Sequence, residues 1–301
     1  MATSATARRP GLEAGVWGIL PTPFVGPQLD VDEASVARIV DNYAAVGLNG
    51  LVALGVLGEA AQLSLAERRT VASTVRDVGT GLPIVIGLAN RSTRPAVEEA
   101  LVAREAVGDD LVAVMAQVNT PNPDRLLEHL AAIHDATGVG IVLQDYPNIS
   151  GVVIGIDALT TTVQQCDAIV AVKAEAAPTT PTIAHLAAHT DVPVFGGLGG
   201  VGLLDELAAG AAGAMTGFSR PEALVDTVGA FHRDGFDAAH AAFTPWLPLA
   251  NFEAQAQIGL SIRKELVRRR GWMDDASVRP PVAPFPAALA PIADQHLARL
   301  P

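Results

Sequence analysis

The chain has 301 residues, half of them hydrophobic but only 4% aromatic, so one large core is affordable and must be built from Ala, Val, Leu and Ile, the residues that fill parallel β/α barrels. A formal net charge of -12 repels nucleic acid and acidic lipid, which excludes both as partners. No apolar run approaches the ~18 residues of a membrane span, and the single cysteine, Cys166, excludes an intrachain disulfide and fits a cytoplasmic location.

Residues 1–10 are rich in Ala, Ser, Thr and Arg without an apolar segment, so residues 1–14 read as a loose tail rather than a signal peptide. From there short apolar runs alternate with longer amphipathic ones, the pattern of buried parallel strands and crossover helices. Strands are predicted over 16–20, 50–54, 83–87, 111–115, 140–143, 168–172, 192–195 and 211–215. Helices are predicted to start near Asp32, Ser64, Ser92, Pro121, Gly155, Thr179, Gly200 and Pro221. Ser64-Leu65-Ala66-Glu67 has the form of a capping box, and Asp32 precedes an apolar-periodic stretch. Eight successive βα pairs favour a closed (β/α)8 TIM barrel, class α/β, over a doubly wound sheet, whose first turn would carry glycines that Leu20-Pro21-Thr22-Pro23-Phe24 lacks. The barrel is expected over 15–235, and a C-terminal helical extension over 236–301, with helices near 238–246, 251–270 and 287–300 that pack on the outside or rim of the barrel. Arg268-Arg269-Arg270 falls at the C-terminal end of one of them, where basic residues complement the helix dipole.

In such a barrel chemistry gathers at the C-terminal ends of the strands. After strand six stands Val172-Lys173-Ala174-Glu175. A lysine ending a buried run is desolvated, which disfavours an ammonium, and a neutral amine attacks carbonyls to give a Schiff base. A lysine snorkelling to the rim or paired with Glu175 is the structural alternative. After strand five comes Gln144-Asp145-Tyr146-Pro147, where a phenol can relay protons or simply cover the barrel mouth. After strand two, Gly55-Val56-Leu57-Gly58-Glu59 lets backbone approach a ligand and point N–H groups at an anion. After strand seven, Gly196-Gly197-Leu198-Gly199-Gly200 gives room for a phosphate or for a substrate chain.

These features together resemble the dihydrodipicolinate synthase/N-acetylneuraminate lyase family of the class I aldolase superfamily, along nearly the whole barrel from Trp17-Gly18-Ile19-Leu20-Pro21-Thr22-Pro23-Phe24 onward. The resemblance implies that Lys173 forms the Schiff base, that Tyr146 moves protons, and that the turn after strand two holds the carboxylate of a 2-oxo acid. It also implies a homo-oligomer, a tetramer or dimer. The chain is an atypical member. The turn carries Val56 and Leu57 where the family has two hydroxyl residues, Ala116-Gln117-Val118-Asn119 replaces a tyrosine pair, and no arginine follows Tyr146 within residues 147–151. Dihydrodipicolinate synthesis is therefore not expected, because Val56, Leu57 and Val118 have no exchangeable side-chain proton. Gln144 before the tyrosine and Glu175 after the lysine look similar to the sugar-acid dehydratase branch.

The expectation is a lyase, an aldolase or a dehydratase, acting on a pyruvate-like or 3-deoxy-2-oxo acid. Its catalytic residues are Lys173, Tyr146 and Glu175. Gly55, Val56, Leu57, Gly58, Gln117, Asn119, Gln144, Gly196 and Gly197 are expected to bind substrate, the apolar pair Val56-Leu57 making the pocket less polar. The alternative is a non-catalytic or regulatory barrel that binds a 2-oxo acid, favoured by the lost hydroxyls. No cofactor is expected: there is no Rossmann fingerprint or P-loop. No metal is expected either, since His129 and His134 are five residues apart, and His185 and His189 read as a surface pair on a crossover helix.

Overall fold

The computed structural model describes residues 11–301; the tail residues 1–10 lie outside them. Eight strands form the barrel: β1 (Gly15–Ile19), β2 (Gly50–Ala53), β3 (Ile84–Gly87), β4 (Leu111–Gln117), β5 (Gly140–Asp145), β6 (Ile169–Ala174), β7 (Val194–Gly196) and β8 (Gly213–Thr216). Every neighbouring pair is parallel and the order runs β1 to β8 without a crossing, closing where β8 pairs with β1. Helices cover the outside: α1 (Glu33–Val46), α2 (Leu65–Asp77), α3 (Thr93–Val107), α4 (Pro123–Thr137), α5 (Ile156–Gln165), α6 (Thr179–His189), α7 (Leu203–Ala208) and α8 (Pro221–Asp234). The chain is a (β/α)8 barrel followed by further helices.

Local signals set the helix starts. Asp32 accepts from the Ser35 N–H at 3.1 Å, and Ser64 with Glu67 forms the reciprocal capping box, each satisfying N–H groups that the first turn leaves without partners. The strands alternate. Trp17, Ile19, Val52, Val85, Ala113, Met115, Val142, Ala171, Phe195 and Met215 pack together inside the barrel, while the intervening residues face the helices in the larger core. Among the described residues no helix is long and apolar enough to cross a membrane.

Several boundaries differ from those expected, in one direction. Strands four, five and six run on to Gln117, Asp145 and Ala174, and strands seven and eight lie about two residues later than expected. An apolar run ends where side chains begin to face a polar cavity, but the backbone ladder continues. The helix expected near Pro121 is capped by Asn122, and that near Gly200 begins at Leu203. A two-stranded ladder, Phe24–Val25 with Asp30–Val31, was not expected. At the other end of the chain Leu12, inside the expected tail of residues 1–14, donates its N–H to Val170 at 3.1 Å, so the described end of that segment is fastened to the bottom of β6.

Beyond α8 come α9 (Phe236–Phe243), α10 (Leu247–Glu253), α11 (Gly259–Arg269) and α12 (Ala290–Leu297). The single helix expected over 251–270 is broken at residues 254–258. Ala254-Gln255-Ala256-Gln257 favours helix on propensity, yet Gln257 takes a left-handed φ of 69° and the break faces the barrel mouth. Arg268 and Arg269 do lie in the last turn of α11 and bond Glu265.

Candidate active site

The C-terminal mouth of the barrel opens into a cavity of about 970 Å³ whose walls include Lys173, Glu175, Tyr146, Gln144, Gly55, Val56 and Leu57. A smaller cavity of about 610 Å³ lies at the opposite end, around the first residues of β3 to β6, and has none of this chemistry. In a (β/α)8 barrel the C-terminal end is where reactive groups converge.

Lys173 is the fifth residue of β6, with Gln144 of β5 and Phe195 of β7 beside it in register. Ala171 below it faces the barrel interior, so Lys173 points up the axis. It is 6% exposed. The ladder continues one step past β6, since the Glu175 N–H bonds the Asp145 carbonyl at 2.9 Å. Glu175 therefore shares the face of Lys173, and its Oε2 stands 3.2 Å from Lys173 Nζ. The rim-snorkelling alternative is set aside by this burial, whereas pairing with Glu175 is what the structure has.

Glu175 is itself fixed. Gln144 Nε2 donates to Oε2 at 2.6 Å and the Leu198 N–H donates to Oε1 at 3.1 Å. Gly197 makes room for it: a Cβ there would meet Glu175 Oε1 at 2.2 Å. Leu198 has a left-handed φ of 50°, a conformation costing a non-glycine residue ~1–3 kcal/mol, which aims its N–H at the carboxylate. Tyr146 follows β5 directly and lines the cavity; burial raises the pKa of its phenol, and the Glu175 charge raises it further while Arg263 opposes.

Across the mouth, the turn after β2 is tied by Thr22 Oγ1 donating to the Gly58 carbonyl at 2.7 Å. Its foot is a buried pair, Lys264 Nζ to Glu59 Oε1 at 2.8 Å, with both side chains fully buried. Glu59 also accepts from the Arg279 N–H at 2.7 Å. The N–H groups of Val56 and Leu57 bond no acceptor among the described residues, and both residues line the cavity.

Not every residue expected at the site reaches it. Gly55, Val56, Leu57, Gln144, Tyr146, Lys173 and Glu175 line the cavity, whereas Gly58, Gln117, Asn119, Gly196 and Gly197 are absent from its walls. Gly58 contributes its carbonyl to Thr22. Gln117 ends β4 opposite Gln144, and Asn119 turns away to bond the Arg91 carbonyl at 2.9 Å. Gly196 faces outward, where a Cβ would strike Glu206 Oε2, and Gly197 acts through Glu175. Of the histidines, buried His129 contacts Thr93 Oγ1 at 3.0 Å, and His185 and His189 stack on each other at 4.1 Å. Conversely, Thr216 of β8 and the segment after α10, with Gln255, Gln257 and Arg263, form walls that were not expected. The helix break is the only feature that could have pointed to them, and helix-favouring residues conceal it.

Fold and site together define a (β/α)8 barrel with a buried lysine on its sixth strand paired with a buried glutamate. The chain belongs to the dihydrodipicolinate synthetase family, whose model matches residues 13–293, and this is a family of lyases. A 4-hydroxy-tetrahydrodipicolinate synthase of Hyphomonas neptunium is 36% identical over 130 residues, 43% of this chain and 44% of the relative, so the chain spans less than half the length of that relative in the match. An L-2-keto-3-deoxyarabonate dehydratase of Azospirillum brasilense is 28% identical over 289 residues, 93% of this chain and 90% of the relative. Among solved structures, a dihydrodipicolinate synthase of Rhodopseudomonas palustris superposes with a TM-score of 0.87 at 30% identity, covering 97% of this chain and 99% of the other.

Proposed function

We propose that this protein is a Schiff-base hydro-lyase acting on a 3-deoxy-2-oxo acid. The observation that carries the reading is the buried contact of Lys173 Nζ with Glu175 at 3.2 Å, in a cavity that Val56 and Leu57 also line. The substrate carboxylate accepts from Val56 and Leu57, which puts the 2-oxo carbon over Lys173. Glu175 takes the ammonium proton, the neutral amine adds to the carbonyl carbon, and Glu175 returns the proton as the carbinolamine oxygen leaves as water. The iminium then acidifies C3. Removal of a C3 proton gives an enamine, which expels the C4 hydroxyl with one proton as water, and imine hydrolysis returns Lys173. Tyr146 serves as the second proton carrier.

Support for dehydration over C3–C4 cleavage comes from the near full-length likeness to the arabonate dehydratase and from the Gln144–Glu175 pairing. Support against dihydrodipicolinate synthesis comes from Val56 and Leu57, which give that turn no hydroxyl. The same two residues favour the second reading, a barrel that binds a 2-oxo acid without turning it over. Borohydride with pyruvate tests the reading: mass spectrometry should find one reduced adduct, on Lys173 and absent in Lys173→Ala. A product assay with a 3-deoxy-2-oxo acid should then show water loss with all carbons kept; release of pyruvate would mean an aldolase, and no adduct with any 2-oxo acid would leave the non-catalytic barrel. On this reading the enzyme is a cytoplasmic homo-oligomer, tetramer or dimer, whose mass sedimentation reports.

A further inference from the structure

Arg263 on α11 belongs to the same cavity wall as Lys173, yet nothing in the scheme above uses it. Its guanidinium lies against the turn after β7: a Cβ on Gly199 would meet Arg263 Nη2 at 2.3 Å, and Gly199 has a left-handed φ of 74°. Glycine is thus required there twice, for the backbone and for the guanidinium. The neighbouring residue, Leu198, holds the Glu175 carboxylate, so the anchor points of the acid-base pair and of Arg263 are one residue, about 3.8 Å, apart along the chain.

The guanidinium is held from behind. Glu253, fully buried, stands with Oε2 at 3.3 Å from Arg263 Nε, and is fixed in turn by the Ser219 N–H at 3.1 Å and the Ser219 hydroxyl. Nη1 and Nη2 have no acceptor among the described residues, and Arg263 lines the cavity. Nor is the charge balanced. Arg220, half-buried with its Nε unpartnered, shares the field of Glu253 with Arg263, while Glu222 is taken by Arg270 at 3.0 Å. Three arginines face two glutamates. A cation held beside Glu253 by charge, with its two outer nitrogens unpartnered, matches both oxygens of a carboxylate; a hydroxyl would satisfy one and leave the other bare.

We infer that Arg263 receives a second carboxylate at the far end of the substrate, so that the preferred substrate is a 3-deoxy-2-oxo dicarboxylic acid rather than one ending in a hydroxymethyl group. This rests on the Schiff-base reading, in which the first carboxylate sits on Val56 and Leu57 and the reacting carbons lie between the two anion sites. Arg263 is a specificity residue on this account, since it touches the substrate away from the reacting atoms.

The test compares kcat/KM for 3-deoxy-2-oxohexarate with that for 3-deoxy-2-oxohexonate, equal in length and differing at the terminal carbon. The wild type should favour the dicarboxylate by about 100-fold, the scale of a buried charge pair. Arg263→Met should bring the ratio close to one, mainly by raising KM for the dicarboxylate. Arg263→Lys keeps the charge but loses the fork, and should lower the ratio about tenfold; it decides the matter if the Met variant fails to fold. A wild-type preference for the hydroxyl-ended acid, or an unchanged ratio in Arg263→Lys, overturns the inference. The pyruvate adduct of the wild type separates the two levels: if it forms while the ratio stays flat, Arg263 is misassigned and the Schiff base stands; if it never forms, the underlying reading has failed.

Discussion

Glu175→Gln isolates the group on which the proposed proton traffic depends. The substitution keeps volume and shape but leaves one acceptor where the carboxylate has two. Three donors now converge on that carboxylate: Gln144 Nε2 at 2.6 Å, the Leu198 N–H at 3.1 Å and Lys173 Nζ at 3.2 Å. With the amide oxygen kept on Leu198, its NH2 faces Gln144 and Lys173. Gln144 can flip its own amide to accept; the ammonium has no such remedy. An unsatisfied buried donor costs ~1–3 kcal/mol, and an unpaired buried charge ~3–5 kcal/mol. The expected destabilisation is about 3 kcal/mol, the lower end of that range. In a chain of this size it appears as a fall in Tm of roughly 5 °C. Turnover should fall by about 10²–10⁴, the usual worth of a positioned acid-base group, while borohydride still traps pyruvate on Lys173, because imine formation needs the amine and only secondarily its partner. Calorimetry, steady-state kinetics and adduct mass spectrometry on one preparation read all three. A variant that turns over within about threefold of wild type would show that Glu175 carries no proton and only buttresses the lysine.

Lys264→Met should cost about 3–5 kcal/mol in urea unfolding, because it strands fully buried Glu59, and the Lys264→Met/Glu59→Gln double variant should recover much of that loss; equal single and double losses would show no coupling. KM for the 2-oxo acid should rise in the single variant, since Glu59 closes the turn that presents Val56 and Leu57. Gly197→Ala should lose tenfold or more in kcat (roughly the effect of displacing an acid-base group), because its Cβ overlaps a carboxylate fixed by two hydrogen bonds; wild-type kcat would mean that Glu175 moves freely. Burial raises the carboxyls of Asp145 and Glu206 to about 6 and about 7, against 3.8 and 4.5 when exposed. Between those limits the native chain holds protons the unfolded chain has lost, so the stability these two groups contribute falls as pH rises from about 4 to about 7 and is then level. Glu206→Gln should flatten the upper part of that decline in urea midpoints measured at pH 5 and pH 8, values that bracket the transition; an undiminished decline would assign it elsewhere.

The barrel was legible because its strands are buried on both faces, so each writes an unbroken apolar run, and because caps such as Ser64-Glu67 act through adjacent residues. The strand ends were not, and for the same reason the site was only partly so. Gln144 and Lys173 are strand residues and Glu175 follows β6 directly, and their polarity makes all three look like loop. Asn119 and Gln117 follow β4 as a site residue should, yet Gln117 caps the ladder and Asn119 turns outward to Arg91. Arg263 and Glu253 were out of reach: they lie 78 or more residues from Glu175 in sequence, on helices whose amphipathic pattern says only that one face is buried.

The atypical turn after β2 gains a different meaning from this geometry. Val56 and Leu57 bring no hydroxyl for a proton relay, but the carboxylate binding proposed for this turn uses backbone N–H groups, which any residue supplies, and both are unpartnered among the described residues. Binding and proton transfer, combined in one turn by the hydroxyl-bearing pattern, are thereby separated. On the proposed reading the turn keeps the anion, and proton transfer passes to the opposite wall, where Glu175 is fixed by Gln144 and Leu198 beside Lys173. An elimination suits that division on the proposed reading: after the imine forms, the leaving hydroxyl and its proton can be served from one side. A condensation that must protonate and deprotonate two substrates in succession would have no carrier on the side of Val56 and Leu57. Restoring hydroxyls there, as in Val56→Thr/Leu57→Thr, should therefore leave water loss within about tenfold of wild type, less than a single acid-base group is worth. A larger gain in turnover would place the proton path through this turn after all.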